Sequence, residues 1–120
     1  MPRQLPLLED TSPICCAPLD AQRPITADEA TALAIRLKAL ADPIRLQLLD
    51  FLLSEPGQEG STGQLARQVG VSDATVSHHL TTLEAAGLIA KERRGMHVYH
   101  RVVPEAIHAI ARALHINACC

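Results

Sequence analysis

The chain has 120 residues, with 11 Lys and Arg against 13 Asp and Glu. This slightly acidic balance excludes a histone-like protein that coats DNA by bulk charge. An apolar fraction of 48% excludes a disordered chain. Aromatic residues are confined to Phe51 and Tyr99 and Trp is absent, so the core must be Leu, Ile, Val and Ala, which suits packed helices better than a sandwich. A chain this short buries its core poorly, and pairing with a second copy offsets that weakness.

Residues 1–25 hold Pro2, Pro6, Pro13, Pro18 and Pro24 and read as an extended N-terminal arm. Thr26-Ala-Asp-Glu29 is a capping box that predicts a first helix to about Leu40, with Ala30, Leu33, Ala34 and Leu37 at helical spacing. Asp42 as N-cap and Pro43 in the first turn open a second helix, with Ile44, Leu48, Phe51 and Leu52 inward, which stops before Pro56-Gly57. Ser61-Thr-Gly-Gln64 caps a short third helix carrying Leu65, Ala66 and Val69, and Gly70 closes it. Ser72 caps a fourth helix over 73–86, which Gly87 ends. Two short helices joined by a glycine-containing turn make a helix-turn-helix. Leu88 to Val103 reads as a β-hairpin about Arg94-Gly95, with alternation at Met96, Val98 and His100. Pro104 opens a last helix to about Ile116, striped by Ala106, Ile107, Ile110, Ala111 and Leu114, and residues 117–120 form a tail. The expected fold is mainly α (α+β): a winged helix-turn-helix over 26–116 with a two-stranded wing.

Charge is unevenly spread. Residues 1–60 hold five basic and nine acidic residues, a net of −4, whereas 61–103 hold five basic and three acidic, a net of +2. The middle of the chain is therefore the anion-facing region. On the fourth helix Val76, Leu80 and Leu83 face inward, leaving Ala74, Thr75, His78, Thr81 and Thr82 outward with Asp73 and Ser77 at the flanks. Short hydroxyl and imidazole side chains suit close approach to base edges and phosphates in a major groove, although a solvated polar face has the same pattern. Lys91, Arg93 and Arg94 around the hairpin turn tip the balance, because cations there reach the DNA backbone or minor groove. No apolar stretch approaches the roughly 20 residues that span a bilayer, and the first residues lack an apolar targeting segment, so a cytosolic protein is expected. Thiols stay reduced there, which makes the two adjacent pairs, Cys15-Cys16 and Cys119-Cys120, ligands or sensors before structural bridges. An enzyme is not expected: residues 10–20 contain no Lys, Arg or His to activate a thiol, and neither a phosphate-cradling glycine loop nor a triad is present.

"LADPIRLQLL" (40–49), "VSDATVSHHLTTLEAAGLI" (71–89) and "KERRGMHVYHRV" (91–102) together resemble the ArsR/SmtB family of metal-responsive repressors, over roughly residues 26–116. The resemblance implies a winged-helix homodimer, paired through its first and last helices, that represses its own resistance operon and leaves the DNA on binding a metal ion or metalloid. It assigns DNA contacts to Ser72, Asp73, Thr75, Ser77 and His78, which join Lys91, Arg93 and Arg94 of the wing. The operator is then double-stranded DNA with an imperfect inverted repeat, its half-sites about 34 Å apart.

The chain departs from the family at its sensing positions. Relatives with a cysteine pair at the start of the third helix differ from this chain, whose matching stretch is "EGSTGQL" (59–65), with Ser61 and Gly63 in place of thiols. Relatives with an Asp-x-His site on the last helix differ too, since Ala106 precedes His108, and His115 lies roughly 10 Å further along the axis. Thiols remain, and soft thiolates select As(III), Sb(III), Cd(II) or Pb(II) over hard cations. Some members of the family carry an N-terminal Cys-Cys pair. By that likeness Cys15 and Cys16 form an As(III) or Sb(III) site, and the third thiolate is expected from Cys119 or Cys120 of either subunit. Adjacent cysteines point to opposite faces of a strand, so the pair must sit in a turn, which Pro13 and Pro18 allow. Four alternatives stay open: oxidation of the same thiols as the signal, Cd(II) or Pb(II) as the ion sensed, a methylated trivalent arsenical that needs two thiols, and a site between His108 of one chain and Cys119 of the other.

Overall fold

The computed structural model describes residues 24–116. Helix α1 spans Ala27–Leu40 and opens on the expected capping box: the Glu29 amide donates to Thr26 Oγ1 and the Thr26 amide to Glu29 Oε1. Helix α2, Pro43–Ser54, is capped by Asp42 Oδ1, which accepts from the Ile44 and Arg45 amides at 2.9 and 3.1 Å. A short 3-10 turn, Pro56–Gln58, leads into strand β1, Glu59–Ser61. Helix α3, Thr62–Val69, begins on the Ser61/Gln64 capping box and ends at Gly70, whose φ of 72° lies in the left-handed region that glycine enters without steric cost. Helix α4 is Asp73–Ala85, strands β2 and β3 are Ile89–Arg94 and His97–Val102, and helix α5 is Pro104–Ala113.

One apolar core joins these elements. Leu48 and Leu52 of α2, Leu65 of α3, and Val76, Leu80 and Leu83 of α4 are fully sealed, with Leu88 and Val102 closing the hairpin side. The inward face expected for α4 is therefore the buried one. On α1 only Ala39 is buried; Leu33 and Leu40 touch the core, while Ala34 and Leu37 of the expected stripe are exposed and Ile35 is 54% exposed. On α5, Ala106 and Ile110 are buried, but Leu114 and Ile116 lie open. The first helix and the segment ending the last one thus keep apolar surface that the described residues do not cover.

Three details differ from the sequence reading. The sheet has three strands, ordered β1-β3-β2, because Glu59–Ser61 pairs antiparallel with Tyr99–Arg101. The hairpin turns at Gly95-Met96, one residue later than expected, with Arg94 opposite His97 as the last pair. Gly95, at φ 62°, takes the first loop position, where two-residue hairpins favour glycine. Met96 accordingly sits at the tip, 93% exposed, and is no part of the alternating pattern. Helix α5 stops at Ala113 because the backbone passes through a left-handed His115, φ 55°, and the Ile116 amide returns to the Ala111 carbonyl at 2.8 Å. The 1–25 arm and the 117–120 tail, with Cys15, Cys16, Cys119 and Cys120, lie outside the described residues, apart from Pro24 and Ile25.

The third strand brings an ion network. Glu59 accepts from both terminal nitrogens of Arg94, at 2.9 and 2.8 Å, and from Arg101 at 2.9 Å. Arg94 also reaches Glu92 and lies 4.6 Å over the Tyr99 ring. These bonds, Arg94's first, hold the Glu59 carboxyl down at about 2, against an ordinary value near 4.5. A depressed carboxyl contributes stability that is whole above the ordinary value and disappears as pH falls through the folded one. Glu59→Gln should therefore lower Tm at pH 7, and thermal melts should show the gap to wild type closing between about pH 4.5 and 2. A gap independent of pH over that range contradicts the clamp.

Candidate nucleic-acid interface

The α3–turn–α4 unit is built to present one face of α4. Ser72 Oγ accepts the Thr75 amide at 3.2 Å and donates to Thr75 Oγ1 at 2.9 Å, which starts the helix cleanly. Val76, Leu80 and Leu83 anchor it inward. Asp73, Ala74, Thr75, Ser77, His78 and Thr81 are then exposed on the opposite side. The Thr81 hydroxyl donates to the Ser77 carbonyl at 2.8 Å and that of Thr82 to the His78 carbonyl at 3.3 Å. The two adjacent histidines divide: His78 is exposed, whereas His79 is half-buried, with Nδ1 3.3 Å from Arg45 Nη1 on α2. Arg45 also donates to the Ala39 carbonyl at the end of α1, so one guanidinium links three helices. Sequence reasoning missed this joint, because Arg45 precedes His79 by 34 residues.

Beside α4 stands the wing. Lys91 is exposed, with its ammonium 4.0 Å from Glu84 of α4. Arg93 is exposed and donates to the Gly95 carbonyl across the turn at 3.3 Å. Arg94 is placed otherwise than its neighbours: its charge is met by Glu59 and Glu92 and its plane rests on Tyr99. The expected cluster of three wing cations thus becomes two, Lys91 and Arg93, because β1 supplies a carboxylate that the hairpin sequence does not reveal. Of the remaining expected contacts, Ser72, Asp73, Thr75, Ser77 and His78 all fall on the exposed side of α4 and its cap.

Between α4 and the wing lies a cleft of about 430 Å³, lined by Ser77, Thr81 and Glu84 of α4 and by Lys91, Arg93 and His100 of the hairpin. His97 and His100, three apart on β3, occupy opposite faces; His97 is exposed and His100 is only 5% exposed. Among the described residues, no group of three His, Cys, Asp or Glu side chains has the arrangement of a metal site, and no helix is long and apolar enough to cross a membrane. An exposed polar helix face beside the exposed cations Lys91 and Arg93 can bind a polyanion by hydrogen bonds and charge together.

Residues 40–92 match a helix-turn-helix domain family. The chain is 36% identical over 94 residues to the HTH-type transcriptional regulator YgaV of Escherichia coli K12, covering 78% of this chain and 90% of that one. It is also similar to the crystal structure of a possible transcriptional regulator for arsenical resistance, with a TM-score of 0.59 and 31% identity over 67% of this chain and 79% of the other. A third similarity is to the homodimeric winged helix-turn-helix DNA-binding domain of a possible ArsR-family regulator from Mycobacterium bovis, with a TM-score of 0.61 and 26% identity over 78% of this chain and 88% of that fragment. The first is a transcriptional regulator and the other two are possible ones.

The wing geometry separates two arginines that are neighbours in sequence. Arg93→Ala should weaken binding to all duplexes and reduce the salt slope of binding by about 1, while melting close to wild type. Arg94→Ala should lower Tm and leave that slope nearly unchanged. Salt-dependent fluorescence anisotropy alongside thermal melts measures both, and equal loss of slope in the two variants refutes the division.

Proposed function

Since the chain belongs to the ArsR/SmtB family of winged helix-turn-helix transcriptional regulators, we propose that it is a homodimeric repressor released from its operator by a thiophilic metalloid, arsenite or antimonite. DNA binding is the part best carried, and the observation that carries it is the exposed face of α4, Ser72 to His78, standing beside Lys91 and Arg93. In this reading Ser72, Thr75, Ser77 and His78 approach base edges and phosphates of the major groove, and Asp73 accepts from a cytosine amino group. Lys91 and Arg93 hold the flanking backbone. The uncovered Ile35 and Leu37 of α1 and Leu114 and Ile116 following α5 support pairing of two copies through those helices, as does the homodimeric state of the Mycobacterium bovis domain.

The inducer reading rests on donor chemistry. Cys15 and Cys16 supply two thiolates and Cys119 or Cys120 a third, and sulfur ligands favour soft ions. Likeness to a possible regulator for arsenical resistance points the same way. Release follows by linkage: the ion must bind the free dimer better than the DNA-bound one. About 3 kcal/mol of coupling weakens operator binding more than 100-fold.

Changing Cys15 and Cys16 together to Ser should leave operator affinity unchanged and abolish release by arsenite. The titration is run anaerobically on reduced protein, so that release without oxidant separates ion binding from disulfide formation. A double variant that still responds to arsenite removes those two residues from the site.

A further inference from the structure

His100 is the one buried polar or charged side chain of the described core. It sits on the central strand, opposite Gly60 of β1 and Lys91 of β2. Its Nε2 lies 2.9 Å from Thr62 Oγ1, in the first turn of α3, and this bond spans 38 residues of sequence. Its Nδ1 is sealed from solvent and has no partner among the described residues. The same imidazole lines the cleft between α4 and the wing. A neutral ring satisfies this arrangement through Nε2 and Thr62, at the cost of one unmet nitrogen. A protonated ring carries an N–H at Nδ1 with no acceptor among the described residues, on an atom sealed from solvent, and this is costly.

The groups that face His100 do not compensate such a charge. Glu84 of α4 favours it and Lys91 of β2 opposes it, and these two stand 4.0 Å apart as a pair. Arg93, also of β2, lines the same cleft. From α3 and β1 the nearest contributions are the uncharged Thr62 and Gly60.

We infer that His100 is a positioning residue for DNA binding: through Thr62 it sets the wing against α3 and α4, and its sealed seat favours the neutral imidazole, so that proton uptake strains that seat, shifts the wing and weakens the operator complex. Burial pushes the ring below its ordinary value of 6.5. A depressed histidine disfavours protonation in the closed form, so the closed wing is fully favoured above that value and loses ground as pH falls below it. The Glu59 clamp is not lost over the same range, since its carboxyl stays ionised down to about pH 2.

The inference rests on the DNA-binding reading, and one experiment tells their failures apart. The reduced full-length dimer and its His100→Gln variant are titrated with a duplex that the wild-type protein has selected from a randomised inverted-repeat library. Gln keeps a donor and acceptor for Thr62 but does not titrate. Failure of the wild type to select or bind any duplex at pH 7.5 sinks the DNA-binding reading itself. Given binding, the wild-type Kd should rise by about fivefold relative to the variant between about pH 7.5 and 5.0. His78 and His97 are present in both proteins, so the ratio isolates position 100. A flat ratio overturns the inference. If the variant does not fold, NMR of the wild-type dimer decides: the His100 ring should titrate together with the Gly95 and Met96 amides at the wing tip, and a ring that titrates while those amides stay still refutes the coupling.

Discussion

The DNA-facing geometry depends on one continuous joint, the passage from β1 into α3 at Ser61. This residue ends the strand, where it pairs with Tyr99 of the wing, and its hydroxyl caps the helix by accepting the Gln64 amide. The wing and the helix-turn-helix therefore share a residue and do not merely pack side by side. Contacts at neighbouring positions reinforce the joint: Glu59 bonds Arg94 and Arg101, Gly60 lies in register with His100, and Thr62 bonds the same histidine. A winged helix that reads DNA with two elements needs their separation held to less than the width of a contact, and short-range strand pairing achieves this better than apolar packing between surfaces free to slide.

The same joint settles how charge is deployed. The chain as a whole is acidic, so any attraction to DNA must be local. By tying Arg94 and Arg101 to Glu59, the fold offsets two cations that stay partly exposed to solvent, and Lys91 and Arg93 stand beside α4. Few free cations mean few counterions released on binding and hence weak attachment to arbitrary sequence. On the proposed reading, discrimination falls on the hydroxyls and imidazole of α4, whose contribution depends on the bases they meet.

Local signals in the sequence made most of this legible. The Thr26/Glu29 and Ser61/Gln64 boxes, the Asp42-Pro43 start and Gly70 each act within a few residues, and each marks an observed helix end. The inward set Val76, Leu80 and Leu83 follows from helical period alone. What stayed illegible depends on distant pairing. Glu59-Gly60-Ser61 has no β-branched residue and only three positions; it becomes a strand because β3 comes alongside it. Arg94 reads as a DNA cation until Glu59, 35 residues earlier, is brought to it. The apolar stripe of α1 was legible as a stripe, but among the described residues only part of it is covered: Leu33 touches the core, while Leu37, and Ile35 beside the stripe, remain open.

That uncovered stripe bears on how an inducer reaches the DNA face. On the proposed reading the thiols flank the two dimer-forming helices in sequence, the arm before α1 and the tail after α5. Helix α1 reaches α4 by a short physical route: its final carbonyl-bearing turn is bonded through Ala39 to Arg45, and Arg45 contacts His79, the buried-side neighbour of His78. A shift of α1 at the dimer interface is thus felt by the middle of the reading helix without crossing the apolar core. Packed cores resist gradual deformation, so such a shift alters the spacing of two α4 helices across a dimer more readily than it alters either α4 itself. For two reading heads on one duplex, spacing is the quantity that half-site geometry penalises, and a modest difference in ion affinity between two spacings is enough to empty the operator.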